Sequence, residues 1–173
     1  PFDLLYWNSD STNLPGPMFA WYLRNTYLEN RLVQPGKAVV CGEKIDLRKV
    51  DLPVYIYGSK EDHIVPIEAA YASTQVFPGK KRFVMGASGH IAGVINPPAS
   101  KKRSHWLPAD AQLPSEFQQW QGKAKEVPGS WWDDWAKWLR PQSGALVNAP
   151  KIPGRGAYKA IEPAPGRYVK AKA

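Results

Sequence analysis

Two short stretches of the chain hold residues able to move protons. The first is Gly58-Ser59-Lys60-Glu61-Asp62-His63-Ile64-Val65-Pro66 and the second is Gly86-Ala87-Ser88-Gly89-His90. An imidazole titrates near neutrality, so it can take a proton from a nucleophile and return it to a leaving group. A carboxylate bound to one ring nitrogen fixes the tautomer and steadies the imidazolium that forms. Asp62 and His90, 28 positions apart, are the candidates for these catalytic roles. Spacing alone is a weak signal, and the weight rests on what precedes each residue. His63 follows Asp62 directly, so on an extended loop its side chain points elsewhere; it reads either as a substrate-side or CoA-side contact or as a local structural residue. His105, beside Lys101-Lys102-Arg103 and Trp106, reads as a solvated loop residue. Cys41, the single cysteine, stands in Val39-Val40-Cys41-Gly42-Glu43 and reads as a small buried strand residue rather than a nucleophile. With three His, one Cys and no paired ligand spacing, no metal site is expected.

The elements that must position Asp62 and His90 are legible around them. Leu52-Pro53-Val54-Tyr55-Ile56-Tyr57-Gly58 is β-branched and aromatic, brief, and bounded by Pro and Gly, which predicts a strand. Pro66 to about Phe77 predicts a helix, stopped by Pro78-Gly79, and Lys81 to Gly86 predicts a second strand. Strand, helix, strand is a βαβ unit; parallel strands require such a crossover, and sites gather at their C-terminal ends. Both polar loops leave from those ends, so Asp62 and His90 are expected to face each other. Upstream, Phe19, Tyr22 and Tyr27 give an aromatic face to a helix predicted over Met18–Leu32, ended by Pro35-Gly36, and Ala38–Cys41 predicts a short strand. Downstream, helices are predicted near 114–125 and 130–139. In the second of these, Trp131, Trp135 and Trp138 share one face and are read as covering the body of the domain. After Pro141 the sequence is rich in Pro, Gly, Ala and Lys and predicts an extended or partly mobile tail.

Composition bounds the class. Of the 173 residues 43% are hydrophobic and 22% charged, the balance of a globular domain. The formal charge is +8. From Pro141 onward there are six basic residues against the single acid Glu162, so five of the eight excess charges sit in the tail. Basic and aromatic residues are not interleaved in a regular patch and no nucleic-acid motif is present, so no nucleic-acid partner is expected. One cysteine excludes an internal disulfide framework. No run approaches the roughly 20 apolar residues that span a bilayer. The opening Pro1-Phe2-Asp3-Leu4-Leu5 reads as the interior of a longer polypeptide.

Longer runs are more specific than the Asp/His spacing. Tyr6-Trp7-Asn8-Ser9-Asp10, Tyr27-Leu28-Glu29-Asn30, Val40 to Leu47, Gly58 to Pro66, Gly86 to Pro98 and Glu162 to Tyr168 closely resemble class I poly(R)-hydroxyalkanoate synthases. The resemblance covers nearly the whole chain and is least distinctive from about Ala109 to Tyr158. It implies an α/β fold, the C-terminal portion of an α/β-hydrolase core with part of a cap subdomain. On that reading residues 1–35 belong to the cap, 36–140 to the core and 141–173 to a basic tail. Trp7 and Asp10 fall in the cap region near a dimer contact. The family is an acyltransferase that polymerises (R)-3-hydroxyacyl-CoA, mainly 3-hydroxybutyryl-CoA, into polyester with release of CoA; no cofactor is implied. Acid before His also follows the α/β-hydrolase order, in which the nucleophile comes first. By resemblance Asp62 and His90 match the catalytic Asp and His, and the nucleophile is a Cys in a G-x-C-x-G elbow upstream. No such elbow occurs here, so this polypeptide alone is expected to be inactive, its partner being an upstream catalytic segment. A homodimer and a cytoplasmic location at polyester granules are implied as well. An esterase or depolymerase of the same fold is the alternative.

Overall fold

The computed structural model describes residues 8–9, 11–152, 154–163 and 166–167. Trp7 and Asp10, and the basic residues Lys170 and Lys172, lie outside the described residues. The chain divides into two compact units, one made of Pro1–Leu28 with Ala145–Ala173 and the other of Glu29–Gly144.

In the first unit, helix α1 (Gly16–Tyr22) follows Pro15, whose carbonyl accepts from the Phe19 amide at 3.0 Å. The expected helix over Met18–Leu32 does not stay α-helical. Leu23–Leu28 is a π-helix, where Asn25 Nδ2 donates to the Trp21 carbonyl at 2.7 Å and Thr26 Oγ1 to the Tyr22 carbonyl at 2.6 Å. Side chains that back-bond to i−4 carbonyls compete with the backbone amides for those acceptors and deform the turn.

The second unit opens with a 3-10 turn at Arg31–Val33, followed by a hairpin of strands β1 (Val39–Val40) and β2 (Glu43–Lys44). Cys41 and Gly42 form its two-residue loop, with φ of 50° and 86°. Positive φ at both central positions is what the twist of a tight hairpin demands. Cys41 is therefore an exposed turn residue, not a buried strand residue as expected.

The main sheet is built from strands β3 (Val54–Ser59) and β4 (Lys81–Gly86), joined through helix α2 (Ile67–Ala72) and a 3-10 turn at Ser73–Gln75. They run parallel, with Val54 opposite Lys81 and Ser59 opposite Gly86. The predicted βαβ unit is present. Beyond the short helix α3 (Ala92–Ile95), strand β5 (Ser104–Leu107) pairs antiparallel with β4. Helix α4 (Phe117–Lys123) leads into strand β6 (Lys125–Pro128), antiparallel to β5, and helix α5 (Trp132–Leu139) follows. The sheet order is β3-β4-β5-β6.

Alternation along the two parallel strands assigns side chains to two covered faces, the pattern expected of buried parallel strands. Phe83 and Met85 join Ile67, Tyr71, Phe117 and Trp120 in the core under α2 and α4. Phe83 meets Tyr71 and Trp120 edge-on, both at 4.8 Å between centroids, pairs worth about 0.5–1.5 kcal/mol each beyond area burial. On the opposite face Tyr57 lies against Trp131 at 4.4 Å and Tyr55 against Trp138 at 5.3 Å. Trp131 and Trp138 thus cover the body, as the spacing predicts. Below them Arg82 holds Asp134 with two hydrogen bonds of 2.8 and 2.6 Å, and Tyr55 donates to the same carboxylate at 2.9 Å.

Within the tail, strands β7 (Gly154–Arg155) and β8 (Tyr158–Lys159), in the first unit, pair antiparallel. Among the described residues no helix is long and apolar enough to cross a membrane.

Candidate active site

At the C-terminal ends of β3 and β4 the hydrogen-bond ladder continues past the strands. The Lys60 amide donates to the Gly86 carbonyl at 2.8 Å and the Glu61 amide to the Ser88 carbonyl at 3.0 Å. The two loops are therefore zipped together one residue before Asp62 and two before His90. Ser88 reaches this register with a φ of 75°, a left-handed conformation that costs an L-residue about 1–2 kcal/mol.

Asp62 and His90 meet. His90 Nδ1 donates to Asp62 Oδ2 at 2.8 Å. The other carboxylate oxygen, Oδ1, accepts from the Ile64 amide at 2.9 Å and the Val65 amide at 3.0 Å, an Asx-type turn that aims Oδ2 at the ring. The Val65 amide holds the Asp62 carboxyl down at about 2, His90 and the Ile64 amide push the same way, and burial opposes them. The carboxyl is accordingly ionised at neutral pH. The Asp62 side chain is 9% exposed and that of His90 43% exposed. With Nδ1 committed to Asp62, Nε2 is the ring atom left to take a proton.

The loops rest on a close-packed floor. Tyr57 Oη and Ser59 Oγ are 3.0 Å apart, and burial pushes the Tyr57 phenol up. Gly93 sits on that pair: a Cβ there would lie 2.6 Å from Ser59 Oγ and 2.7 Å from the Ala87 carbonyl. A Cβ on Gly86 would run into the Tyr57 ring and hydroxyl. Reasoning from sequence missed Tyr57, Ser59, Gly86 and Gly93; the small residues at 86, 87, 89 and 93 were the only available signal.

The remaining candidates separate. His63 is exposed and makes no side-chain hydrogen bond or ion pair among the described residues. His105, expected in a solvated loop, is instead 4% exposed on β5, where Nδ1 donates to the Gly129 carbonyl at 3.0 Å. Among the described residues no group of three or more His, Cys, Asp or Glu side chains could hold a metal.

A family model described as the alpha/beta hydrolase fold matches residues 1–97, a stretch that includes both Asp62 and His90. The chain belongs to the α/β hydrolase fold family. It is 63% identical over all 173 residues to the poly(3-hydroxyalkanoate) polymerase subunit PhaC of Cupriavidus necator, covering 29% of that protein. It is 45% identical over 173 residues to the subunit of the same name from Rhizobium meliloti, covering 28% of it. To poly(3-hydroxyalkanoate) polymerase 2 of Ectopseudomonas oleovorans the identity is 40% over 168 residues, which is 97% of this chain and 30% of that protein. The chain thus spans less than a third of the length of these curated relatives.

Proposed function

We propose that this chain supplies the acid and the imidazole of a polyester-forming acyltransferase that polymerises (R)-3-hydroxyacyl-CoA, mainly 3-hydroxybutyryl-CoA, and releases CoA. The observation that carries the reading is the Asp62–His90 hydrogen bond of 2.8 Å, with the second carboxylate oxygen already taken by two amides. That arrangement leaves one role for Oδ2, to hold the ring, and one for Nε2, to exchange a proton. Identity of 63% to a named polymerase subunit supports the substrate class.

His90 Nε2 takes the proton of a cysteine thiol contributed by a segment outside these residues, since the thiolate is the reactive form. The thiolate attacks the thioester carbonyl, the C–S bond to CoA breaks, and His90 returns the proton to the departing CoA sulfur. His90 next accepts the proton of the 3-hydroxyl that attacks the bound acyl group, and the ester bond forms as the enzyme thiol is released. Asp62 balances the imidazolium in both halves of the cycle. The side chains of Ile64, Val65 and Ile91, all exposed beside the pair, offer an apolar rim that suits an acyl chain and a water-poor transfer. His63, exposed beside Asp62, is assigned a substrate-side or CoA-side contact at the same mouth. Homodimerisation through a cap containing residues 1–35, and residence at cytoplasmic polyester granules, complete the proposal.

The test uses the complete protein with (R)-3-hydroxybutyryl-CoA. The expected result is CoA release with insoluble polyester, abolished by His90→Gln while the fold persists. Free 3-hydroxybutyrate as the main product would replace synthesis by hydrolysis.

A further inference from the structure

Helix α3 begins two residues after His90, so whatever holds α3 also holds the imidazole. A helix of four residues cannot hold itself. Its amides reach back in order: Gly93 to the Gly89 carbonyl at 2.9 Å, Ile95 to Ile91 at 3.0 Å and Asn96 to Ala92 at 3.3 Å. The Val94 carbonyl is different. The residues three and four positions on, whose amides would ordinarily cap it, are Pro97 and Pro98, which have no N–H.

Two indoles from the start of α5 fill that place. Trp131 Nε1 donates to the Val94 carbonyl at 3.1 Å and Trp132 Nε1 donates to the same oxygen at 3.0 Å. One carbonyl has two lone pairs, and both are used. The rings stack on each other at 4.8 Å, and Trp131 lies on Tyr57, part of the floor beneath the site. Their helix is itself moored to the sheet by Asp134 on Arg82 and Tyr55.

We propose that Trp131 and Trp132 are positioning residues for His90, their paired N–H groups replacing the amides that Pro97 and Pro98 lack and so fixing α3 and the ring ahead of it. This rests on the reading of His90 as the proton carrier. Because either indole satisfies part of the need, the two sites are coupled: removing one N–H is mild and removing both is not.

The experiment compares Trp131→Phe, Trp132→Phe and the double variant in the complete protein. A fourth protein carries β-(3-benzothienyl)alanine at both positions, which keeps the bicyclic shape and deletes only the N–H. Hydrogen exchange at the Ile95 and Asn96 amides and the kcat-against-KM split for CoA release are the readouts. Each single variant is expected to lose less than about threefold in kcat. The double N–H deletion is expected to lose about tenfold or more with KM unchanged, since small misplacements of a reacting group cost rate rather than binding. Exchange at the two amides is expected to quicken by a similar factor. If the benzothienyl protein keeps both slow exchange and full kcat, the proposal fails; faster exchange with full kcat overturns the positioning role as well. Normal turnover in His90→Gln would remove the functional reading instead, and the exchange arm would still decide whether the clamp exists.

Discussion

Replacing Asp62 by Asn tests the chemistry with the smallest change of shape. The amide oxygen of Asn can occupy the Oδ1 position and keep the Ile64 and Val65 amides, now at 2.9 and 3.0 Å. The amide nitrogen then stands where Oδ2 lies 2.8 Å from His90 Nδ1, and it is a donor. Nδ1 must become an acceptor, so the proton moves to Nε2, the atom meant to receive one from the nucleophile. The ring stays in place in the wrong tautomer. A serine-protease site with this substitution loses about 10⁴ in kcat, and a loss of about 10³–10⁴ is expected here for (R)-3-hydroxybutyryl-CoA turnover by the complete protein. Circular dichroism at pH 7 should change little, because the turn that Oδ1 caps survives, while the thermal midpoint should fall modestly as the carboxylate's contribution is lost. Asp62→Ala removes the acceptor for both amides and should loosen residues 63–65 in addition to abolishing turnover. An Asn variant that turns over within about threefold of the parent would refute the tautomer argument.

Other consequences can be checked independently. Asp62 is held at about 2 against an ordinary 3.8, so its contribution to stability is complete above about pH 4 and lost as pH falls through about 2; acid unfolding of the parent, but not of Asp62→Asn, should show that component. Gly93→Ala forces a methyl to within 2.6 Å of Ser59 Oγ and 2.7 Å of a carbonyl, and should cost roughly 1–3 kcal/mol in urea unfolding together with turnover. Ser88→Val places a β-branched residue at a φ of 75° and should destabilise by about 1–2 kcal/mol, whereas Ser88→Gly should keep full activity. Asp134→Ala strips two charged hydrogen bonds and one from Tyr55 off a half-buried network and should lower stability by roughly 2–3 kcal/mol.

The convergence of Asp62 and His90 was legible because two apolar runs bounded by Pro and Gly, with a helix between them, have one efficient arrangement: parallel neighbours whose trailing loops share an edge. The βαβ unit alone spoke for an α/β fold; the hydrolase fold was legible only through the resemblance carried by the longer runs. Strands β5 and β6 were not legible. Ser104-His105-Trp106-Leu107 is four residues long behind a basic run, and Lys125-Glu126-Val127-Pro128 has no alternation; β5 forms because an antiparallel ladder on β4 is available, and β6 because β5 then offers its own free edge. His105 is buried for that reason, its polar nitrogen satisfied by Gly129, a partner 24 positions away. Cys41 was misread because Val39 and Val40 dominate the pattern, while the loop needs two positive φ values that the Gly42 neighbour only half announces. The π-turn at Leu23–Leu28 depends on where Asn25 and Thr26 aim their side chains, which periodicity does not record. Trp131 read as packing and Trp132 carried no role; their hydrogen bonds to Val94 join residues 37 and 38 positions apart and appear only on folding.

The account turns on which nitrogen of His90 carries the proton when the ring is neutral. Ring nitrogen chemical shifts from ¹⁵N-labelled complete protein, assigned by comparison with His90→Gln, report this directly. A proton on Nδ1, with a downfield resonance that disappears in Asp62→Asn, is the predicted result. A neutral ring protonated at Nε2 in the parent protein would contradict it.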